Sequence, residues 1–140
     1  MWLVNERTGQ LVASDVELAV TRAARRRGLL RRDALDPSTA FLLSPCCSIH
    51  TAFMRFPIDA IFLDRDGVVR RIVSDLKPWR AAVDVGAWMV VEMAGGAAAT
   101  HGMRAGDRLY LSVTSDRDDV FLSSTPSFRR IASNPACAGS

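Results

Sequence analysis

The sequence predicts a mostly-β domain of the α+β class, a small and partly open antiparallel β-barrel-like domain with one or two short helices. Two observations lead to this prediction. Apolar residues occur in short runs separated by glycine, proline and aspartate, a spacing typical of short strands joined by turns. Helix signals are confined to two brief segments, 22–27 and 97–101. Short strands with few helices favour a curled sheet over a helical bundle.

The apolar runs place the expected elements in order. Thr21 is a good N-cap for the first helix, and Gly28 suits the left-handed position beyond its end. Asp66 and Gly67 form a hairpin signal, so the strands on either side of them should pair antiparallel. Strands are expected at 16–20, 40–43, 58–63, 68–73, 87–93 and 108–113.

Length and composition bound the class of protein. A chain of 140 residues, 49% hydrophobic and 24% charged, is long enough to bury a core and ordinary for a soluble protein. We expect one domain over 1–113 and a flexible or loosely docked C-terminal tail over 114–140, which is rich in Ser, Asp, Arg and Pro. No apolar run approaches the roughly 18 residues of a membrane span. The N-terminal residues lack the pattern of a secretory signal, so we expect a cytoplasmic protein.

Charge and cysteine content narrow the candidate functions. The net charge is +3 and Lys77 is the only lysine, which we interpret as composition bias. No recognised nucleic-acid motif appears, so no nucleic-acid partner is expected. The three cysteines, two of them adjacent, fit a reduced state better than a disulfide framework. The spacing of Cys46, Cys47, His50 and His101 provides no local zinc pair, and we expect neither metal nor cofactor.

Asp59 is the most conspicuous polar residue, because it interrupts the apolar run of the strongest predicted strand. A buried carboxylate costs several kcal/mol unless it is paired or hydrogen-bonded. The nearest partners in sequence are Arg55, Thr51 and the backbone N–H groups of the preceding loop. Asp59 is therefore either a structural carboxylate that pins this loop or a contact to a ligand.

Three further positions leave similar alternatives. Trp79 either caps the core or stacks on a sugar or base, with Arg80 holding an anion. Glu92 ends an apolar run before a glycine pair, where it could face a ligand. Cys46 is either a small buried apolar group or a thiol nucleophile activated by His50.

Several of these residues carry a family resemblance. His50-Thr51, Met54-Arg55, Pro57-Ile58-Asp59 and Phe62-Leu63-Asp64 resemble the central motif of domain-of-unknown-function family 192. The resemblance extends over about 16–113 and includes Pro78-Trp79-Arg80, Glu92 and Gly106-Asp107. It implies a small bacterial or archaeal protein and no particular activity. The commoner branch of the family has a tryptophan where this chain has His50, which favours a pocket-lining ring over an obligatory base.

The sequence therefore predicts non-catalytic binding of a small polar or anionic ligand, or of a peptide, in a cleft. One alternative is a hydrolase or transferase that uses Cys46 or Asp59 with His50. Another is an interaction module that acts through a sheet edge or through the tail. The residues predicted to line the cleft are His50, Thr51, Met54, Arg55, Asp59, Trp79, Arg80 and Glu92, with Cys46 as a candidate reactive thiol.

Overall fold

The computed structural model describes residues 1–19 and 33–113. Their secondary structure is mostly β-strand, with one short helix, α1. The predicted helix at 22–27 and the predicted tail over 114–140 lie outside the described residues. The elements are β1 Trp2–Asn5, β2 Leu11–Ala13, β3 Asp15–Ala19, β4 Thr39–Leu43, β5 Ser48–His50, β6 Ile58–Leu63, β7 Val69–Leu76, β8 Ala81–Val83, β9 Met89–Ala94, α1 Ala97–Thr100 and β10 Leu109–Ser112.

A five-stranded sheet in the order β3-β4-β9-β6-β7 forms the middle of the domain. Strands β4, β6 and β9 are nearly continuous apolar runs, because this sheet is covered on both faces. A three-stranded sheet, β10-β1-β2, and α1 pack on what we call the first face. The β5-β8 pair, called the ribbon below, packs with its flanking loops on the second face.

The prediction of a mostly-β α+β domain is confirmed, whereas its barrel-like form needs correction. The strands of the described residues form three sheets, and none of these closes into a barrel. One pair, β3 and β4, is parallel rather than antiparallel. The connection from β3 to β4 is long enough to return the chain to the same end of the sheet, which parallel pairing requires. No helix in this part of the chain is long and apolar enough to cross a membrane.

The end of the domain is tied to its beginning through the buried carboxylate of Asp107. This carboxylate accepts hydrogen bonds from the Asn5 amide, the Arg7 guanidinium and the backbone N–H of Arg104. The hydrogen bond from Arg7 is the main reason that the pKa of Asp107 falls to about 2. The Asp107 carboxylate therefore bonds a backbone N–H of its own turn and also joins β1 to the segment that leads into β10.

Candidate functional site

Thr51 is fully buried at the end of the ribbon, where it joins two loops that are distant in sequence. Its N–H donates to the carbonyl of Arg80 at 2.8 Å, and its hydroxyl accepts from the Arg80 N–H at 2.9 Å. The same hydroxyl lies 2.6 Å from the carbonyl of Lys77, to which it donates. The Thr51 carbonyl accepts from the N–H groups of Met54 and Trp79, both at 3.1 Å. These bonds fix the 51–55 loop against the 77–80 loop.

The two joined loops present a pair of aromatic rings to solvent. Phe53 is 70% exposed and Trp79 is 60% exposed, and their ring centroids lie 4.6 Å apart at an interplanar angle of 60°. Both residues have left-handed backbone, with φ of 64° and 63°. For residues other than glycine this conformation costs about 1–2 kcal/mol each. We call these residues the aromatic pair; their strained backbone is held in place by the hydrogen bonds of Thr51.

The two loops that carry the aromatic pair also carry three positively charged side chains. Arg55, Lys77 and Arg80 are exposed, and His50 is exposed beside them on the ribbon. Arg55 forms an ion pair with Asp33, which contributes little to stability because both groups are in water. The Arg80 guanidinium reaches the carbonyl of Trp79 at 3.2 Å. The surface therefore offers an apolar ring face next to cations, a combination suited to a ligand with a flat or apolar part and negative charge.

Replacing Thr51 by valine should loosen this surface. Valine has a methyl group in place of the hydroxyl, so it keeps the side-chain volume. The Arg80 N–H and the Lys77 carbonyl lose their hydrogen bonds to the Thr51 hydroxyl. We expect a loss of about 2–3 kcal/mol in the free energy of unfolding. The tryptophan fluorescence anisotropy of the protein should also fall, because the 77–80 loop, which carries one of the three tryptophans, loses its anchor. The matched control is Thr100→Val on α1, whose exposed hydroxyl bonds only its own helix, and which should change neither quantity.

Asp59 does not lie on this surface. Its side chain is fully buried, and its two oxygens accept from the backbone N–H groups of Asp75, Gly96 and Ala98 at 2.8, 3.0 and 2.9 Å. The expectation that Arg55, Thr51 or the 51–55 loop would satisfy it was wrong, because the partners come from the end of β7 and the start of α1. Asp75 itself has a φ of 54°, so this carboxylate also holds a left-handed residue in place.

Glu92 is also buried, on the opposite face of the sheet from Asp59. In the register of β9 and β6, Glu92 lies opposite Ala60, whereas Asp59 lies opposite Met93. Side chains alternate between faces along a strand, so Glu92 points to the second face and Asp59 to the first. Glu92 is 7% exposed, and no group among the described residues donates a hydrogen bond to its carboxylate. Burial raises the pKa of Glu92 to about 7.

The remaining predicted site residues are buried or separate from the surface. Met54 packs in the core of the second face. Cys47 forms a disulfide, so the expectation of a reduced state was wrong for this residue. Cys46 is buried, and its thiol donates to the carbonyl of Ser48 at 3.1 Å. A reagent or substrate would have to reach this sulfur through the protein. Within 1–19 and 33–113 no three His, Cys, Asp or Glu side chains are grouped as a metal site.

The structure thus divides the predicted cleft into three parts. Four of its residues are exposed on the ribbon and its loops, namely His50, Arg55, Trp79 and Arg80. The side chain of Asp59 is buried on the first face of the sheet, and that of Glu92 is buried on the second. Sequence reasoning missed Phe53, the partner of Trp79 in the aromatic pair. Phe53 could have been identified from the sequence as an aromatic residue in the loop between Thr51 and Arg55.

Fold and surface together define a small β-rich domain that displays an exposed aromatic pair among cations. The chain belongs to the DUF192 family, described as "Uncharacterized ACR, COG1430", whose model matches residues 3–111. No curated protein matches the chain.

Two solved structures are similar to this one. A candidate transcription regulator from Sinorhizobium meliloti is 25% identical, with a TM-score of 0.67, over 77% of this chain and 88% of that chain. A protein of unknown function from Novosphingobium aromaticivorans is 24% identical, with a TM-score of 0.70, over 79% of this chain and 84% of that chain. The second likeness concerns the fold alone.

Proposed function

We propose that this protein is a non-catalytic binding protein whose site is the exposed surface of Phe53, Trp79 and the cations beside them. Its ligand carries an apolar or flat part and negative charge. The observation that carries the proposal is the aromatic pair: both rings are exposed to solvent, and both residues have left-handed backbone. Strain of this kind persists only where surrounding structure enforces it, and it concentrates at functional sites.

The energetics of the surface support binding rather than stability. Two exposed rings bury little area against the core, so the domain gains little from them while it is unbound. The buried bonds of Thr51 nevertheless hold both loops in the conformation that displays the rings. A ligand that covers the rings would gain the apolar burial that the unbound domain lacks, without further ordering of the loops.

This proposal changes the sequence-based site prediction at five positions. Thr51 and Met54 are buried and do not line the site. Asp59 is taken as a structural carboxylate and Glu92 as a buried group, whereas His50, Arg55, Trp79 and Arg80 remain in the site. Phe53 is added. The hydrolase or transferase alternative loses support, because the Cys46 thiol is buried and Asp59 is saturated by backbone N–H groups.

The name of the Sinorhizobium protein raises regulation of transcription as another role. We retain the sequence-based expectation of a ligand-binding role without nucleic acid, because the sequence contains no recognised nucleic-acid motif. The cytoplasmic location stays a prediction.

Calorimetric titration of the wild-type protein and a Phe53→Ser/Trp79→Ser double variant tests this function. The probes are adenosine monophosphate, citrate and a short acidic apolar peptide, at low salt so that surface charges are not screened. We expect the wild type to bind at least one probe, and the double variant to bind that probe more than about tenfold more weakly. Both rings are exposed, so the variant should remain folded.

The matched control is Val113→Ser, a loss of another exposed apolar side chain, which should bind like the wild type. Two outcomes contradict the proposal: no binding of any probe by the wild type, or equal binding by the wild type and the double variant.

A further inference from the structure

Exposed apolar surface extends from the aromatic pair onto the outer face of the ribbon. In the register of β5 and β8, Ile49 lies opposite Ala82, and both are buried against the second face of the sheet. Alternation then turns Ala81 and Val83 outward. Val83 is 52% exposed, and Val85, just beyond the strand, is 80% exposed.

The apolar surface follows β8 and the two turns beside it. Ala81 and Val83 lie about 7 Å apart at the rise of a β-strand, whereas Trp79 and Val85 lie in the flanking turns. Across the ribbon, the partners of the outward apolar residues are polar: Ser48 lies opposite Val83 and His50 lies opposite Ala81. The outward apolar residues of β8 therefore form a narrow line with a polar margin on the β5 side.

The charged groups near this line are mainly cations. Arg80 and Lys77 lie at the end near the aromatic pair, and Arg71 reaches across to the carbonyl of Val83 at 3.0 Å. Asp84 is engaged by Arg70 in an ion pair, so its charge is largely compensated. The pKa of Asp84 is accordingly lowered, chiefly by the hydrogen bond from Arg70.

We propose that the partner of this site is an acidic segment of another protein that lies extended along the ribbon from Trp79 to Val85, with apolar side chains on the line and carboxylates toward the cations. This inference rests on the proposed function. Charge complementarity disfavours a second copy, because the cations of two copies would face each other. The narrow line fits one peptide chain better than a flat bilayer, and Val83 and Val85 offer no stacking surface for nucleic-acid bases.

An array of immobilised octapeptides tests the inference directly. The four sets of peptides are acidic with apolar residues, acidic with polar residues, basic with apolar residues, and neutral with apolar residues. The wild-type protein should be retained most strongly by the acidic apolar set. Equal retention by all four sets, or preference for another set, would overturn the inference.

Three variants separate this inference from the proposed function. Val83→Ser should weaken binding to the acidic apolar set about tenfold, since it removes one anchor from the line. Phe53→Ser/Trp79→Ser should weaken it further, and Val113→Ser should leave it unchanged. If Val83→Ser binds like the wild type while the double variant fails, the ribbon inference falls and the proposed function stands. If the double variant also binds like the wild type, both fall.

Two competing partners enter the same experiment as soluble probes. Vesicles containing anionic lipid and a single-stranded oligothymidine should not displace the protein from the acidic apolar peptides. Displacement by either probe at a lower concentration than the free peptide would overturn the inference in favour of a membrane surface or of single-stranded nucleic acid.

Discussion

Replacing Asp59 by asparagine is expected to remove about 3–5 kcal/mol from the free energy of unfolding, a large part of what a domain of this size has. The two carboxylate oxygens accept from three backbone N–H groups at 2.8–3.0 Å. An asparagine offers one acceptor oxygen, and its NH2 group would face N–H donors that it cannot accept from. At least one buried N–H would lose its partner, and the start of α1 and the end of β7 would separate.

Denaturant unfolding of the purified variant measures this loss. The matched control is Asp66→Asn in the exposed turn between β6 and β7, which should lie within about 0.5 kcal/mol of the wild type. An Asp59→Asn protein that unfolds within about 1 kcal/mol of the wild type would show that the Asp59 carboxylate is not needed to hold these elements. The structural assignment of Asp59 would then be wrong.

Glu92→Gln is expected to make the protein more stable at pH 8 and to remove much of the pH dependence of its stability. The pKa of Glu92 is raised to about 7 in the folded protein, from an ordinary value of 4.5. Between these two values the folded protein holds a proton that the unfolded chain releases, so stability falls as the pH rises through this window. The difference between the two pKa values corresponds to about 3 kcal/mol.

Glutamine keeps the shape of the protonated glutamate and cannot ionise. The stability of the Glu92→Gln protein should therefore stay constant from pH 5 to 8, apart from the contribution of other groups. Unfolding free energies of the wild type and of Glu92→Gln, measured across this window, give the effect as a difference. Glu6→Gln, at an exposed glutamate, should keep the wild-type slope. A Glu92→Gln slope equal to that of the wild type would mean that Glu92 is not the group that titrates.

The sequence was sufficient to predict the central strands, because β4, β6 and β9 combine length with apolar runs. It was insufficient for β1, β2, β5 and β8, which have three or four residues and owe their form to pairing with distant strands. The turn at Asp66 and Gly67 could be predicted from the sequence, because the Asp-Gly pair itself favours this turn without help from distant residues.

For the candidate site, the sequence predicted the need of Asp59 for partners but not their identity. Those partners come from residues 16 to 39 positions away, which local reasoning does not reach. The separation of Asp59 from Glu92 depends on the register of β6 and β9, and a shift by one residue would place both carboxylates on the same face of the sheet. Phe53 was missed because its display depends on Thr51, whose partners lie 26 and 29 positions further along the chain.

The central claim is that binding takes place at the aromatic pair rather than at Asp59, Glu92 or Cys46. The most direct measurement is the two-dimensional amide NMR spectrum of the labelled protein, titrated with an acidic apolar octapeptide. Tryptophan indole N–H groups give separate signals, and the chain has three tryptophans. Trp2 is half-buried, and Trp88 is covered by the Arg65 guanidinium at 4.1 Å from its ring centre. We predict that the indole signal of Trp79 moves with added peptide while those of Trp2 and Trp88 stay in place. A peptide that moves the signals of Trp2 or Trp88 and leaves Trp79 unchanged would contradict the account.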